Sequence, residues 1–343
     1  MSGILAVRLD SDGDVLLTGP AVRALGRLGE VDLLVSPAGR QAADLLPGVR
    51  STLLFDAPWS GLSPAPVDAE AVLELVQRLS SAQYDRAVVF TSFHQSPLPT
   101  ALVLRLAGVP WIAATSEDYP GTLLDVRHRR ANGLHEVDAA LGLALAAAGS
   151  LPPGDDGRPT VVQPLPDVSH LVPRSRYVVV HPSASVPARA PSPDQAREIV
   201  GGLADAGWAV VVTGGPSDAP ATARVVGGSP GALDLAGRTS FAELAGVLAG
   251  ADVVVVGNTG PAHLAAAVGT PVVSLFSPVV PADRWAPFGV PHVLLGDQAA
   301  ACAGTRARLC PVAGHPCLTS VTTAQVVAAV DALARASRDE VVA

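Results

Sequence analysis

From end to end the chain alternates short apolar runs with longer stretches of helical periodicity, and few folds accept that rhythm. In the first half the runs are 3–9, 31–35, 51–55, 86–91 and 109–113, with helical stretches near 14–28, 68–82, 96–107 and 134–148 between them. A run that is apolar on both faces must be covered on both. A helix between successive runs is the crossover that a parallel sheet demands. The rhythm then pauses. Residues 150–175 carry Pro152, Pro153, Pro159, Pro164, Pro166 and Pro173 with Gly154, Asp155, Asp156 and Gly157, a linker composition with room for one short strand around 160–163. It restarts with 176–181, 208–213, 232–235, 252–256, 271–275 and 292–295. Ser192-Pro193-Asp194-Gln195 and Ser240-Phe241-Ala242-Glu243 read as capping boxes at helix starts. Val326, Val327, Val330 and Leu333 share one face of a closing helix.

This pattern predicts an α/β chain of two Rossmann-like parallel-sheet domains facing a cleft. The first occupies 1–160, a linker 161–174 and the second domain 175–322; the C-terminal helix 323–343 is a separate element that can pack back on the N-terminal domain. Apolar residues at 49% and charged ones at 16% supply two buried cores. All 23 basic side chains are Arg and the net charge is −8, which argues against a nucleic-acid partner. Three cysteines confined to 302–317 make no secreted disulfide scaffold. No apolar stretch is long enough to cross a bilayer. Met1-Ser2-Gly3 enters a strand without a basic leader. The expectation is a cytoplasmic protein with no transmembrane segment, peripheral membrane contact being left open.

Ligands of such sheets sit outside the carboxyl ends of the strands, so the loops after strands carry the functional reading. After the first run come Asp10-Ser11-Asp12-Gly13-Asp14 and a helix. Asp14 is either a first-turn acid favoured by the helix dipole or a general base. Asp10 and Asp12 resemble a metal-binding pair, but carboxylates in so tight a turn need not converge. The loop His181–Arg189 suits a diphosphate, with the hydroxyls of Ser183 and Ser185 donating and Arg189 neutralising charge; a Pro-rich connector fits equally. Gly214 and Gly215 admit a close ligand, and Asp218 could hold a ribose hydroxyl. Asn258-Thr259-Gly260-Pro261-Ala262-His263 opens a helix whose unpaired N–H groups form an anion site, with His263 either a phosphate donor or a packed residue. No GxGxxG or P-loop follows any strand, which disfavours a dehydrogenase or an NTPase. Cys302, Cys310, Cys317 and His315 match no compact zinc spacing and read as a packed or disulfide-forming loop.

The opening stretch from Ile4 to Ala21, the segment 256–276 and the Cys-Pro…Gly-His-Pro-Cys-Leu piece at 310–318 resemble glycosyltransferase family 9, the ADP-heptose:lipopolysaccharide heptosyltransferase family. The resemblance implies a GT-B fold and inverting transfer of a heptose-like sugar from a nucleotide diphosphate donor, ADP-linked, without a metal or other cofactor. It implies Asp14 as the base and Thr259, Gly260 and His263 as phosphate-binding residues. Arg189 stands where a Lys is common, and Ser183 and Ser185 correspond to the preceding hydroxyls. Two positions depart from the family: Asn258, where many members carry Asp, and Pro191, where an aromatic often stands. The acceptor is a glycan or small molecule, held by the N-terminal domain through Asp10, His94, Gln95, Asp118 and Tyr119. Two other readings share the architecture: a GT-B-type nucleotide-sugar epimerase, which needs no acceptor, and a non-catalytic nucleotide-sugar binding protein.

Overall fold

A computed structural model describes residues 3–227, 229 and 231–342. Met1, Ser2 and Ala343 lie outside the described residues, and the leaderless reading of the amino terminus falls there with them. The chain divides into two compact units, Met1–Val162 and Gln163–Ala343.

In the first unit six parallel strands form one sheet: β1 (Gly3–Arg8), β2 (Glu30–Val35), β3 (Val49–Leu54), β4 (Arg86–Phe90), β5 (Ile112–Thr115) and β6 (Val126–His128). Their order is β3-β2-β1-β4-β5-β6. On one face Leu5 and Val7 of β1, with Ala87 and Val89 of β4, meet Leu75 and Leu79 of helix Ala69–Ala82 and Ala101 and Leu104 of helix Leu98–Leu106. Helices Asp12–Leu25 and Glu136–Ala146 pack against each other. Covering both faces buries β1 almost completely, as its unbroken apolar run requires.

The second unit repeats the plan with β7 (Tyr177–His181), β8 (Ala209–Val212), β9 (Leu233–Asp234), β10 (Val253–Gly257), β11 (Val272–Leu275) and β12 (His292–Leu295), ordered β12-β11-β10-β7-β8-β9. Counted within each unit, both sheets run third, second, first, fourth, fifth, sixth. That is the doubly wound order, which reverses between the first and fourth strands. Arg8 at the end of β1 pairs with Phe90 of β4, and His181 at the end of β7 pairs with Val256 of β10. The loops after these four strands flank the two reversal points.

Four local outcomes differ from the sequence reading. The fifth strand lies at Ile112–Thr115 rather than 109–113, because Pro110 interrupts the run. The short strand β6 carries no apolar pattern and was not predicted. Residues 160–163 form no strand, although Val162 donates its N–H to the Leu45 carbonyl. Helix Thr323–Val342, read as a separate element, belongs to the core of the second unit: Val326, Val330 and Leu333 pack with Val255 and Val273, and Trp208 Nε1 donates to Asp331 at 3.0 Å.

The helix starts show how a motif divides into parts. Ser240 and Glu243 form a complete box, each side chain bonding the other's backbone N–H. Ser192 accepts from Gln195 N–H, yet the Gln195 amide donates to the carbonyls of Leu318 and Val321 instead. Half of that box therefore serves tertiary structure. Ser240→Ala should lower the unfolding free energy by about 1 kcal/mol, read in urea melts as a lower midpoint at unchanged slope.

Candidate functional site

In the first unit the reversal point is built around Arg8. This side chain is 2% exposed, an unusual place for a guanidinium. Its Nε lies 2.9 Å from Asp10 Oδ2, and its Nη2 lies 2.9 Å from Ser92 Oγ, 3.1 Å from Asp14 Oδ1 and 3.8 Å from Glu136 Oε2. Burial opposes the Arg8 charge, but the carboxylates of Asp10, Asp14 and Glu136 outweigh it and hold the guanidinium protonated. Gln95 donates to Asp10 Oδ1 at 2.6 Å, while Ser92 N–H fixes the Gln95 amide from the other side. Arg130 completes the cluster at 2.7 Å from Glu136.

Asp14 stands apart from its neighbours because its side chain is 21% exposed, against 10% for Asp10 and 2% for Glu136. It lies in the first turn of helix Asp12–Leu25, where Ser11 Oγ donates to its second oxygen at 3.1 Å. Burial pushes the Asp10 carboxyl up against the pull of Arg8. Asp12 turns elsewhere: it accepts the Ala42 N–H, and burial pushes it up to about 6. The two acids of the Asp10-x-Asp12 pair thus serve separate partners.

A pocket of about 160 Å³ opens beside this cluster, between the loop 91–97 after β4 and the segment 115–118 after β5, with Arg130 on its wall. His94, Gln95 and Asp118, three of the residues expected to hold an acceptor, line it. Tyr119 does not. It is 84% exposed and outside the lining. Asp10 is likewise turned inward to Arg8 and Gln95 rather than presented to a ligand. Arg8, Ser92, Glu136 and Arg130 were missed by the sequence reading. A charged residue ending an apolar strand is the signal that marks Arg8; no local pattern marks the other three.

In the second unit the reversal point joins two backbone-rich loops. The loop after β7 carries half-buried Ser183, exposed Ser185 and a single 3-10 turn, Pro187–Arg189. Among the described residues neither serine makes a side-chain hydrogen bond within the protein. A Cβ on Gly257, the last residue of β10, would overlap the Arg189 carbonyl oxygen, so this glycine lets the Arg189 loop rest directly on the end of β10. Helix Gly260–Ala267 starts at once, with Thr259 at its N-cap making no side-chain cap bond and Pro261 in its first turn. Thr259 and Gly260 are partly exposed, whereas His263 is 5% exposed. The helix dipole and its first N–H groups give this end a positive polarity.

Two predicted donor residues have structural duties. Asn258 is buried, and its amide donates to Ser277 O and accepts from Ser277 N–H, both at 3.2 Å. An Asp would oppose the Ser277 carbonyl, which explains the amide at this position. Asp218 accepts the Gly215 N–H at 2.8 Å and closes the Gly214-Gly215 turn. Below this loop His181 is buried and shares a hydrogen bond with Thr213 at 3.0 Å; burial pulls its imidazole down to about 4.

All three cysteines are free thiols. Cys302 and Cys317 are buried, and burial pushes the Cys317 thiol up to about 11. Their segment buttresses the Arg189 loop, since Arg308 O accepts the Ala188 N–H and His315 Nε2 contacts Ala188 O at 3.2 Å. No group of three or more His, Cys, Asp or Glu side chains among the described residues is arranged to hold a metal ion. No helix among them is long and apolar enough to cross a membrane.

Two doubly wound sheets, with an acid and a pocket at one reversal point and a helix start at the other, form an α/β fold of the GT-B type. The comparisons agree. The model of glycosyltransferase family 9 (heptosyltransferase) matches residues 72–314. Lipopolysaccharide heptosyltransferase 1 of Salmonella typhimurium is 27% identical over 293 residues, 81% of this chain and 89% of that protein. Lipopolysaccharide heptosyltransferase 3 of Escherichia coli is 34% identical over 107 residues, 30% of this chain and only 31% of that protein. The solved E. coli ADP-heptose LPS heptosyltransferase II shares the fold with a TM-score of 0.76 at 21% identity, over 98% of this chain and 100% of that one. The chain belongs to glycosyltransferase family 9, the heptosyltransferase family, and is a glycosyltransferase.

The state of His181 gives a pH test. Its folded-state value lies below its ordinary 6.5, so in acid the unfolded chain takes up the proton first. This contribution to stability is complete above pH 6.5 and declines toward pH 4, by about 3 kcal/mol in total. The raised Asp12 carboxyl acts in the opposite sense. Urea melts of wild type and His181→Gln should therefore diverge in slope between these pH values, wild type losing stability faster.

Proposed function

We propose that the enzyme transfers a heptose-like sugar from an ADP-linked donor to a hydroxyl of a glycan or small-molecule acceptor, with inversion and without a metal or other cofactor. The observation that carries this reading is the partly exposed Asp14 carboxylate in the first turn of the helix after β1, joined through Arg8 and Ser92 to the polar pocket of the same unit. His94, Gln95 and Asp118 bring polar groups to an acceptor there. Asp14 takes the proton of the attacking hydroxyl, and the oxygen displaces the diphosphate from the opposite face of the anomeric carbon. Arg189, Thr259, Gly260 and His263 meet the charge that grows on the departing diphosphate, the kind of stabilisation that usually contributes most in such sites. Ser183 and Ser185 supply further donors, and Gly214, Gly215 and Asp218 form the neighbouring loop. The ADP assignment follows the name of the solved heptosyltransferase II. A cytoplasmic enzyme with a nucleotide sugar as co-substrate fits an acidic chain in which no described helix is long and apolar enough to cross a membrane.

Thermal shifts with ADP-, GDP-, UDP- and dTDP-sugars test the donor, since a ligand of the folded state raises the melting temperature. ADP-heptose should give the largest shift; a larger one with another nucleotide overturns the ADP assignment. With the preferred donor, Asp14→Asn should lower turnover by about 10²–10⁴-fold while the donor shift persists. Near-wild-type turnover in that variant would sink the base assignment. EDTA should leave the rate unchanged, and the product should carry the inverted anomeric configuration by NMR.

A further inference from the structure

We infer that Arg8 is a positioning residue for Asp14, and that Asp10 and Glu136, by sharing its guanidinium, keep the Asp14 carboxylate able to take up a proton. This deepens, and rests on, the reading of Asp14 as the base.

Arg8 is fixed at both ends. Its backbone is the last rung of β1, paired with Val35 and Phe90. Its buried head reaches Asp10, Asp14 and Ser92, with Glu136 at 3.8 Å. One Asp14 oxygen is therefore held by Arg8 and the other by Ser11, which sets the plane of the carboxylate.

Such a contact carries a hazard. An Arg paired with one carboxylate lowers its proton affinity by about one to three pH units, which disarms a base at neutral pH. Here the single cation is divided among three acids. Asp10 is also tied to Gln95, and Glu136 to Arg130, so each keeps its place when Asp14 becomes protonated. The charged groups linked to Asp14 through Arg8 include Asp10 from the loop after β1, Glu136 from helix Glu136–Ala146 and, through Glu136, Arg130 before it; Ser92 contacts Arg8 and Gln95 contacts Asp10. Two cations face three carboxylates, an excess of negative charge that favours uptake of one proton. Asp14, the most exposed of the three acids, is where a substrate proton can enter. Arg130 also stands on the pocket wall, so the cluster runs from the base to the pocket.

The test uses the full-length protein labelled with ¹³C at the aspartate carboxyl carbons. The Asp14 signal is the one missing from Asp14→Asn, and its titration midpoint is followed by NMR. Arg8→Met should raise the midpoint by about one pH unit or more. Asp10→Asn and Glu136→Gln should lower it, because each removes a like charge and leaves Arg8 more closely committed to Asp14. General loss of structure cannot shift one signal in opposite directions. Should Arg8→Met not fold, the other two variants decide: lowered midpoints sustain the inference, and unchanged or raised ones overturn it. In transfer assays with ADP-heptose, Asp10→Asn should reduce kcat and shift the acid limb of the rate profile to lower pH, with KM for the donor unchanged. A fully active Asp14→Asn would defeat the base assignment, while the titrations would still report on Arg8.

Discussion

A strand paired in parallel on both sides cannot reach its neighbours through a tight turn, so every connection must cross a face of the sheet. That constraint governs both units. It brings all the carboxyl ends of each sheet to one edge, and where the strand order reverses, the loops after the first and fourth strands diverge. Arg8 and Asp14 come from one such loop region and Ser92 and Gln95 from the other. In the second unit the Arg189 loop and the Asn258–His263 segment stand in the same relation. The candidate site residues occupy the place that connectivity leaves open.

Both reversal points hold buried polar groups, and each resolves the cost differently. Around Arg8 the solution is ionic: a desolvated cation is tolerable because three acids offset its charge and a hydroxyl accepts from its Nη2. At Asn258 the solution is neutral, an amide matched to one donor and one acceptor on the Ser277 backbone. Removing one partner in either place leaves a buried group unsatisfied, which is costlier than the net worth of the contact itself.

The strands and helices were largely legible because an apolar run between helical stretches has one economical use. β6 and the 112–115 strand escaped that logic, the first because its three residues carry no apolar alternation, the second because Pro110 sits inside the run. The family was read from the segments around Asp14 and around Thr259–His263, of which the second lies inside the matched residues 72–314. The partners of these residues were not. Glu136 meets Arg8 from more than 120 positions away and brings Arg130 with it, and nothing in their own neighbourhoods announces it. Asn258 and Asp218 read as ligand contacts since polar residues in such loops often are, whereas their hydrogen bonds serve Ser277 and Gly215. Tyr119 shows the same limit, being adjacent in sequence to a pocket residue but outside the pocket.

The bare α-carbon of Gly257 makes the Arg189 turn and the end of β10 behave as a single mechanical piece. Any side chain grafted there would push the Arg189 carbonyl off the strand end. Half-buried Ser183 and exposed Ser185, which make no side-chain hydrogen bond among the described residues, leave that loop more latitude for change than the floor beneath it.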